Sequence, residues 1–431
     1  MLDPNAHLKL DLNYFRTIPC GCKRHIWSKT PSKQRSGQRS VTEYVKKLFS
    51  KHTSAPPPDF RFENHPHFPA ARSVFPDHFM VNRDKLKKPT SPGFVLKKRY
   101  GKTKKEVIEK HWSEIRSFVH SVKTGKTRRR FPALLSGTSS KYDLIKKQHK
   151  VRVAYSFDLR VIAAEAMFFY PLYDALKPNY VPTPENRHFE ACILKPNFNY
   201  DFSSFDTSVP GWLVEMAFSH ILTRFDVSKY RQGTVPKSRQ SLIRLLMYIK
   251  SYYCRTPFKL RPEGQTMIAS DGVPSGGMFT NLLDSLISYN IMRYVHAYTC
   301  RIFSYGDDCH AGFCYHDPHR IERAVKDIFC MSLKTKPSNE HNCLTYTRVE
   351  CHKGKGFRSG QDLVDILNCT DYVHETAFCL TFGYVTEIQH NILMYICSTT
   401  EKHRYLPYSV RKYIQYILDP AQDIRSEIDT T

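Results

Sequence analysis

Apolar positions recur at helical intervals beyond residue 104. Val107, Ile108, Trp112, Ile115, Phe118 and Val119 predict an amphipathic helix. Val161 to Leu176 is apolar almost throughout and predicts a buried helix, closed by Lys177-Pro178. Phe198 to Phe205 predicts a strand, and Trp212 to Phe225 and Gln240 to Cys254 predict two helices. Small residues from Ser275 lead into a long apolar helix reaching Tyr298. Arg301 to Tyr305 and His310 to Cys314 predict two strands meeting at a Gly-Asp-Asp turn. Pro318 to Met331 predicts a helix. A hairpin is expected at Lys353-Gly354-Lys355-Gly356, and a mostly helical stretch after it. The order of elements gives an α+β chain.

The first ninety residues lack this periodicity. Ala55-Pro56-Pro57-Pro58 and Asn64-His65-Pro66-His67-Phe68-Pro69 interrupt regular structure. This segment is expected to wrap the rest in extended form, with disorder near Lys33 to Ser40.

Composition sharpens the picture. At 431 residues and 41% hydrophobic, the chain exceeds one ordinary domain, so two or three subdomains are expected. The net charge is +25, which repels itself unless a polyanion offsets it. Nucleic acid is the natural partner, because Lys and Arg contacts to phosphate supply most non-specific affinity. Three basic runs precede residue 153: Lys97 to Lys105, Lys123 to Arg130 and Lys146 to Arg152. Lys126, Arg128, Arg129 and Arg130 are the candidate nucleic-acid contacts. The 13 cysteines form no paired framework, which suits a reducing compartment. Cys20-Gly21-Cys22 with His25 lacks the second half of a zinc site. No run approaches the ~20 apolar residues of a membrane span. No signal sequence opens the chain, which reads as intracellular and soluble.

The candidate chemistry lies in three ordered blocks. The first, Asp201-Phe202-Ser203-Ser204-Phe205-Asp206, ends a strand and opens a helix. The second is Gly272-Val273-Pro274-Ser275-Gly276-Gly277-Met278-Phe279-Thr280-Asn281. The third is Tyr305-Gly306-Asp307-Asp308. Carboxylates on separate strands suit two-metal phosphoryl transfer, with the ions about 3.5–4 Å apart. Asp201 and Asp307 are the expected bridging ligands, supported by Asp308, with Mg²⁺ or Mn²⁺ as the cofactor. The glycines let a backbone approach closely. A pairing of Asp206 with Asn281 suits recognition of a ribose 2′-hydroxyl. Lys150 and Arg152 suit an incoming triphosphate, and Lys334 or Lys336 suits protonation of departing pyrophosphate.

These blocks resemble the palm motifs of viral RNA-dependent RNA polymerases, nearest the partitivirus-like, picornavirus-related group of double-stranded RNA viruses. Asp201 to Leu213 resembles motif A, Gly272 to Ser285 motif B, Tyr305 to Asp308 motif C, and Lys150 to Val153 the end of motif F. The resemblance spans about Lys150 to Ala311. It implies a right hand of fingers, palm and thumb, the palm a small antiparallel sheet backed by helices and the thumb compact and helical. The implied layout is an N-terminal extension over fingers and thumb (1–92), fingers (93–195), palm (196–230), a fingers insertion (231–264), palm (265–345) and thumb (346–431). By the resemblance, Asp201, Asp307 and Asp308 bind metal, Asp206, Ser275, Thr280 and Asn281 select the ribose, and Arg152 with Lys150 holds the triphosphate. RNA template, RNA product and NTPs are the implied partners, with a capsid protein as a further one and no membrane. The implied location is the host cytoplasm, within a virion or replication particle. A retroelement reverse transcriptase and a host-captured, non-catalytic RNA-binding derivative are the alternatives.

Overall fold

The computed structural model describes residues 27–29, 38–50, 54–143, 148–176, 196–336, 344–346, 349–352 and 355–358, with scattered positions between 363 and 394. The Cys20–Cys22 cluster, the expected disorder at 33–37 and most of the expected thumb lie outside the described residues.

Three sheets organise the chain. The first joins β1 (Trp27–Lys29), β2 (Ala133–Asp143), β3 (Gln148–Ser156), β5 (Thr256–Lys259) and β6 (Met267–Ala269), with β3 off the β1-β2-β5-β6 path and paired to β2. The second holds β4 (Asn197–Phe202), β7 (Arg301–Tyr305), β8 (Asp308–Gly312) and β9 (Leu333–Lys336), in the antiparallel order β7-β8-β4-β9. The third is a small meander of β10 (Leu344–Tyr346), β11 (Val349–His352) and β12 (Lys355–Arg358). Within it β11 and β12 pair antiparallel, His352 opposite Lys355, where the hairpin at Lys353-Gly354-Lys355-Gly356 is expected.

The helices follow the periodicity closely: α2 (Phe94–Arg99), α3 (Lys104–Lys123), α4 (Leu159–Asp174), a one-turn α5 (Phe205–Ser208), α6 (Gly211–Leu222), α7 (Arg239–Cys254), α8 (Thr280–Val295) and α9 (Pro318–Phe329). Two boundaries shift for physical reasons. The strand expected to run to Phe205 stops at Phe202, because Ser204 takes a left-handed φ of +57° and turns the chain into α5. The second hairpin strand starts at Asp308 rather than His310. Only Gly306 and Asp307 form the loop, and the φ of +63° at Gly306 suits the first position of such a tight turn. Among the described residues, no helix is long and apolar enough to cross a membrane.

The first ninety residues correct one expectation. They contain α1 (Gln38–Leu48), whose start overlaps the segment expected to be disordered. Val41, Tyr44, Val45 and Leu48 sit at i, i+3, i+4 and i+7, and Leu48 is buried. From residue 54 to 76 the chain is irregular apart from a bridge between Val74 and Phe225. It is anchored by aromatic side chains. The buried Phe60 ring packs edge-on against Trp212, Tyr294 and Phe329, drawing α6, α8 and α9 together. Such aromatic pairs contribute about 0.5–1.5 kcal/mol each beyond burial.

Candidate active site

The four-stranded sheet lines up the acidic residues. β4 lies between β8 and β9, so Asp201 faces Asp308 on one side and Lys334 on the other. Tyr305 pairs with Asp308 from the outer strand. Directly opposed residues share a face, so Asp308, Asp201 and Lys334 form a row, with Asp307 in the turn at its end. Lys336 lies two residues along, opposite Asn199. Like charges directly opposed are destabilising. Lys334 offsets part of that repulsion, and a bound cation would offset more.

Hydrogen bonds from α8 hold the turn. Gly306 N–H donates to Ser285 Oγ at 2.7 Å, and Ser288 Oγ donates to Gly306 O at 2.7 Å. Ser304 Oγ donates to Ser285 O at 2.8 Å, and His65 Nε2 lies 3.2 Å from Ser304 Oγ. Both polar groups of Gly306 are thus satisfied by the helix behind it. Each such bond contributes about 0.5–1.5 kcal/mol, and leaving a buried group unpaired costs more.

The glycine-rich block is tied to the other motifs through its backbone. Val273 N–H donates to Asp206 O at 3.0 Å, and Tyr155 N–H, on β3, donates to Ser275 O at 2.8 Å. Glu165, fully buried on α4, accepts from Met278 N–H at 2.8 Å. Burial pushes its carboxyl up to about 7, while the Met278 N–H and Lys104 work against the shift. Tyr253 OH accepts from Phe279 N–H at 3.0 Å. The same hydroxyl fills the space that a side chain at Gly277 would need, and Tyr155 O does so at Gly276. The Thr280 hydroxyl donates to Pro274 O at 2.8 Å and also lies 3.0 Å from Gly277 O, closing the loop.

Several predicted site residues meet around Asp206. Burial, and next the Asp307 charge, push its carboxyl up to about 6; Arg152 and a hydrogen bond with Ser275 pull it back. Asp206, Asp307, Arg152 and Ser275 are therefore electrostatic neighbours. Asn281 is exposed at the start of α8, and its Nδ2 would lie 3.3 Å from a Cβ on Gly306. Lys150 lies on β3, but its side chain and that of Lys336 are outside the described ones.

Of the candidate RNA contacts, Lys126, Arg128 and Arg129 are exposed. Arg130 differs from expectation. Its guanidinium donates to the Ser251 and Arg255 carbonyls at the end of α7 and stacks 5.0 Å over Tyr252. It is committed to the protein itself.

Asp284 escaped the sequence reading. It lies one turn beyond Thr280 on α8, and its carboxyl is held far above the usual range by burial, then by Asp206 and Asp307. Its Oδ1 has no hydrogen-bond partner among the described residues. The i, i+4 spacing from Thr280 was the available signal.

Among the described residues, no group of three or more His, Cys, Asp or Glu side chains is placed to hold a metal ion by itself. The donor set still fits Mg²⁺, which typically takes one or two carboxylates and completes its shell with substrate phosphates and water. A model of the viral RNA-dependent RNA polymerase family matches residues 79–352, well over half of the chain, and spans all three sequence blocks. No curated protein matches the chain. With the aspartate row, the Gly-Asp-Asp turn and the glycine-rich loop inside that matched span, this chain belongs to the viral RNA-dependent RNA polymerases and is an RNA-directed nucleotidyltransferase.

Proposed function

We propose that the chain replicates and transcribes a viral RNA genome, adding nucleotides to a growing RNA strand by two-metal transfer. The observation that carries this reading is the row Asp308–Asp201–Lys334 across three strands, ending at the Gly-Asp-Asp turn. Asp201, Asp307 and Asp308 would hold Mg²⁺, or Mn²⁺ in its place. Bound there with the triphosphate, the two ions supply charge stabilisation to the attacking and leaving oxygens.

The remaining roles belong to the chain itself. Arg152, with Lys150 on the same strand, neutralises the triphosphate. Asp206 accepts a hydrogen bond from the ribose, and Ser275, Thr280 and Asn281 shape that pocket. Asp284 adds a second carboxyl to it. The register opposite Asp201 supports Lys334 over Lys336 as the donor of a proton to pyrophosphate. The four-stranded sheet with α8 behind it is read as the palm, the basic β2–β3 region as fingers, and the part beyond residue 346 as a compact thumb. The motif sequences support a partitivirus-like origin, with RNA synthesis inside a capsid-protein particle in the host cytoplasm.

The test is incorporation of labelled NTPs on an RNA template with Mg²⁺ or Mn²⁺. Asp307→Ala is expected to lower turnover about 10³-fold or more, the scale of losing a principal electrostatic group. Its melting temperature should not fall, because a like-charge repulsion is relieved. Equal product from both proteins would remove Asp307 from the chemistry.

A further inference from the structure

A helix from outside the matched region closes on the ribose side of the site. α1 ends at Leu48, well ahead of residue 79 where the family match begins. Three of its side chains, at i, i+3 and i+4, share one face and meet Tyr155, the motif A turn and Gly272 in turn. The Tyr44 ring packs edge-on against Tyr155, centroids 6.3 Å apart. Its hydroxyl is buried near that of Tyr155 with no hydrogen-bond partner among the described residues, and Asp206 and Asp284 lie within electrostatic reach. Lys47 Nζ donates to Ser204 Oγ at 3.0 Å. Leu48 packs on Gly272, where an added Cβ would come within 2.9 Å of its Cδ1.

The residue gripped by Lys47 is itself strained, one of four described non-glycine residues with positive φ. Ser204 holds φ +57° without being glycine, between Asp201 and Asp206. Such a conformation costs on the order of 1–3 kcal/mol and persists only where neighbours over-determine it. Ser203 N–H is fixed to Ser332 O at 2.8 Å, which holds the sheet side of the turn. α1 holds the opposite side. Burial keeps the Tyr44 phenol neutral, so it adds no charge beside the carboxyl groups of Asp206 and Asp284.

We propose that α1 is a positioning element for nucleotide selection: Lys47 holds the Asp201–Asp206 turn through Ser204, and Tyr44 lines its buried side, so that Asp206 meets the sugar hydroxyls of the incoming nucleoside triphosphate. This rests on the reading of Asp206 as the ribose-facing carboxylate. Neither Tyr44 nor Lys47 touches the reacting atoms. Their effect passes through Asp206, so it falls on ribonucleotides and spares analogues that lack the 2′-hydroxyl.

The experiment uses the full chain with Tyr44→Phe, Lys47→Met and the double variant. Tyr44→Phe keeps the ring and its packing and removes only the hydroxyl. For each protein, kcat and KM on an RNA template are measured with ATP and with 2′-deoxyATP, alongside equilibrium binding of both nucleotides and a melting curve. The KM for ATP is expected to rise about tenfold in each single variant, the scale of a slightly misplaced positioning group. The 2′-deoxyATP values, kcat and melting temperature should stay near wild type. The double variant should lose little more than either single one, because both act on one turn. An unchanged preference for ATP in both single variants overturns the proposal, and so does an equal loss for both nucleotides. A wild-type chain that prefers ATP in binding but does not incorporate it refutes the polymerase reading alone, and the binding ratios still decide the role of α1. A wild-type chain with no ribose preference overturns the reading of Asp206 and with it the role of α1.

Discussion

Tyr253 reads in the sequence as one more aromatic on an apolar helix. In the fold its hydroxyl occupies the space that a side chain at position 277 would need, and at 1% exposure the ring has nowhere to retreat. Gly277→Ala is therefore expected to cost about 2–3 kcal/mol, the upper part of the overpacking range. Gly264→Ala is the milder comparison: its new Cβ would meet Arg261 O at 3.2 Å, a tight contact rather than an overlap, so a cost below about 1 kcal/mol is expected. Chemical denaturation of both variants checks this, and matching losses would show that Tyr253 does not exclude a side chain at 277. The contrast explains which site residues the sequence exposes. Asp201, Asp307 and Asp308 stand out because acidity at a strand end and in a two-residue turn is a local pattern. Tyr253, Asp284 and Tyr44 do not, because their importance comes from neighbours far away in the chain. The reverse error occurs at Arg130, which shares a basic run with exposed cations yet caps a helix.

Between elements, the decisive relation is that of α8 to the β7–β8 hairpin. The hairpin itself is legible from Tyr-Gly-Asp-Asp flanked by strand-forming residues. Its fixed position is not, because that depends on Ser285 and Ser288, which look like ordinary small residues on a buried helix. Likewise β4 is legible as a strand, but its place between β8 and β9 follows only from the sheet order. α1 carried a readable i, i+3, i+4, i+7 pattern, obscured by proline-rich surroundings. Ser285→Ala tests the hairpin anchor. It leaves the buried Gly306 N–H without its acceptor, which should cost about 1–3 kcal/mol of stability. A loosened turn displaces Asp307 but leaves Asp206 and Ser275 in place. Turnover should accordingly fall about tenfold, with the KM for NTP little changed. A stability loss with unaltered kcat would mean that the chemistry tolerates movement of the turn.

Across the whole molecule, the charge of +25 is visible in composition, but its usable part is set by folding. Lys126, Arg128 and Arg129 follow α3 and are exposed, with Arg129 lying 5.1 Å over the Phe131 ring. Arg130, one residue on, is bound to the end of α7. If the exposed three contact phosphates, each releases counterions on binding. Changing all three to Gln should then lower the slope of log affinity against log salt by about 2, at roughly 0.7 per single-strand contact. The melting temperature should hold, since no buried group is lost. Arg130→Gln should do the opposite: the salt slope stays near wild type, while removal of a guanidinium stacked on Tyr252 lowers stability. RNA binding over a range of salt concentrations, paired with melting curves, separates these outcomes. A slope that falls equally for Arg130→Gln would return that residue to the RNA surface. An unchanged slope in the triple variant would assign the charge a different role, and the phosphate track would then have to be sought on another face of the molecule.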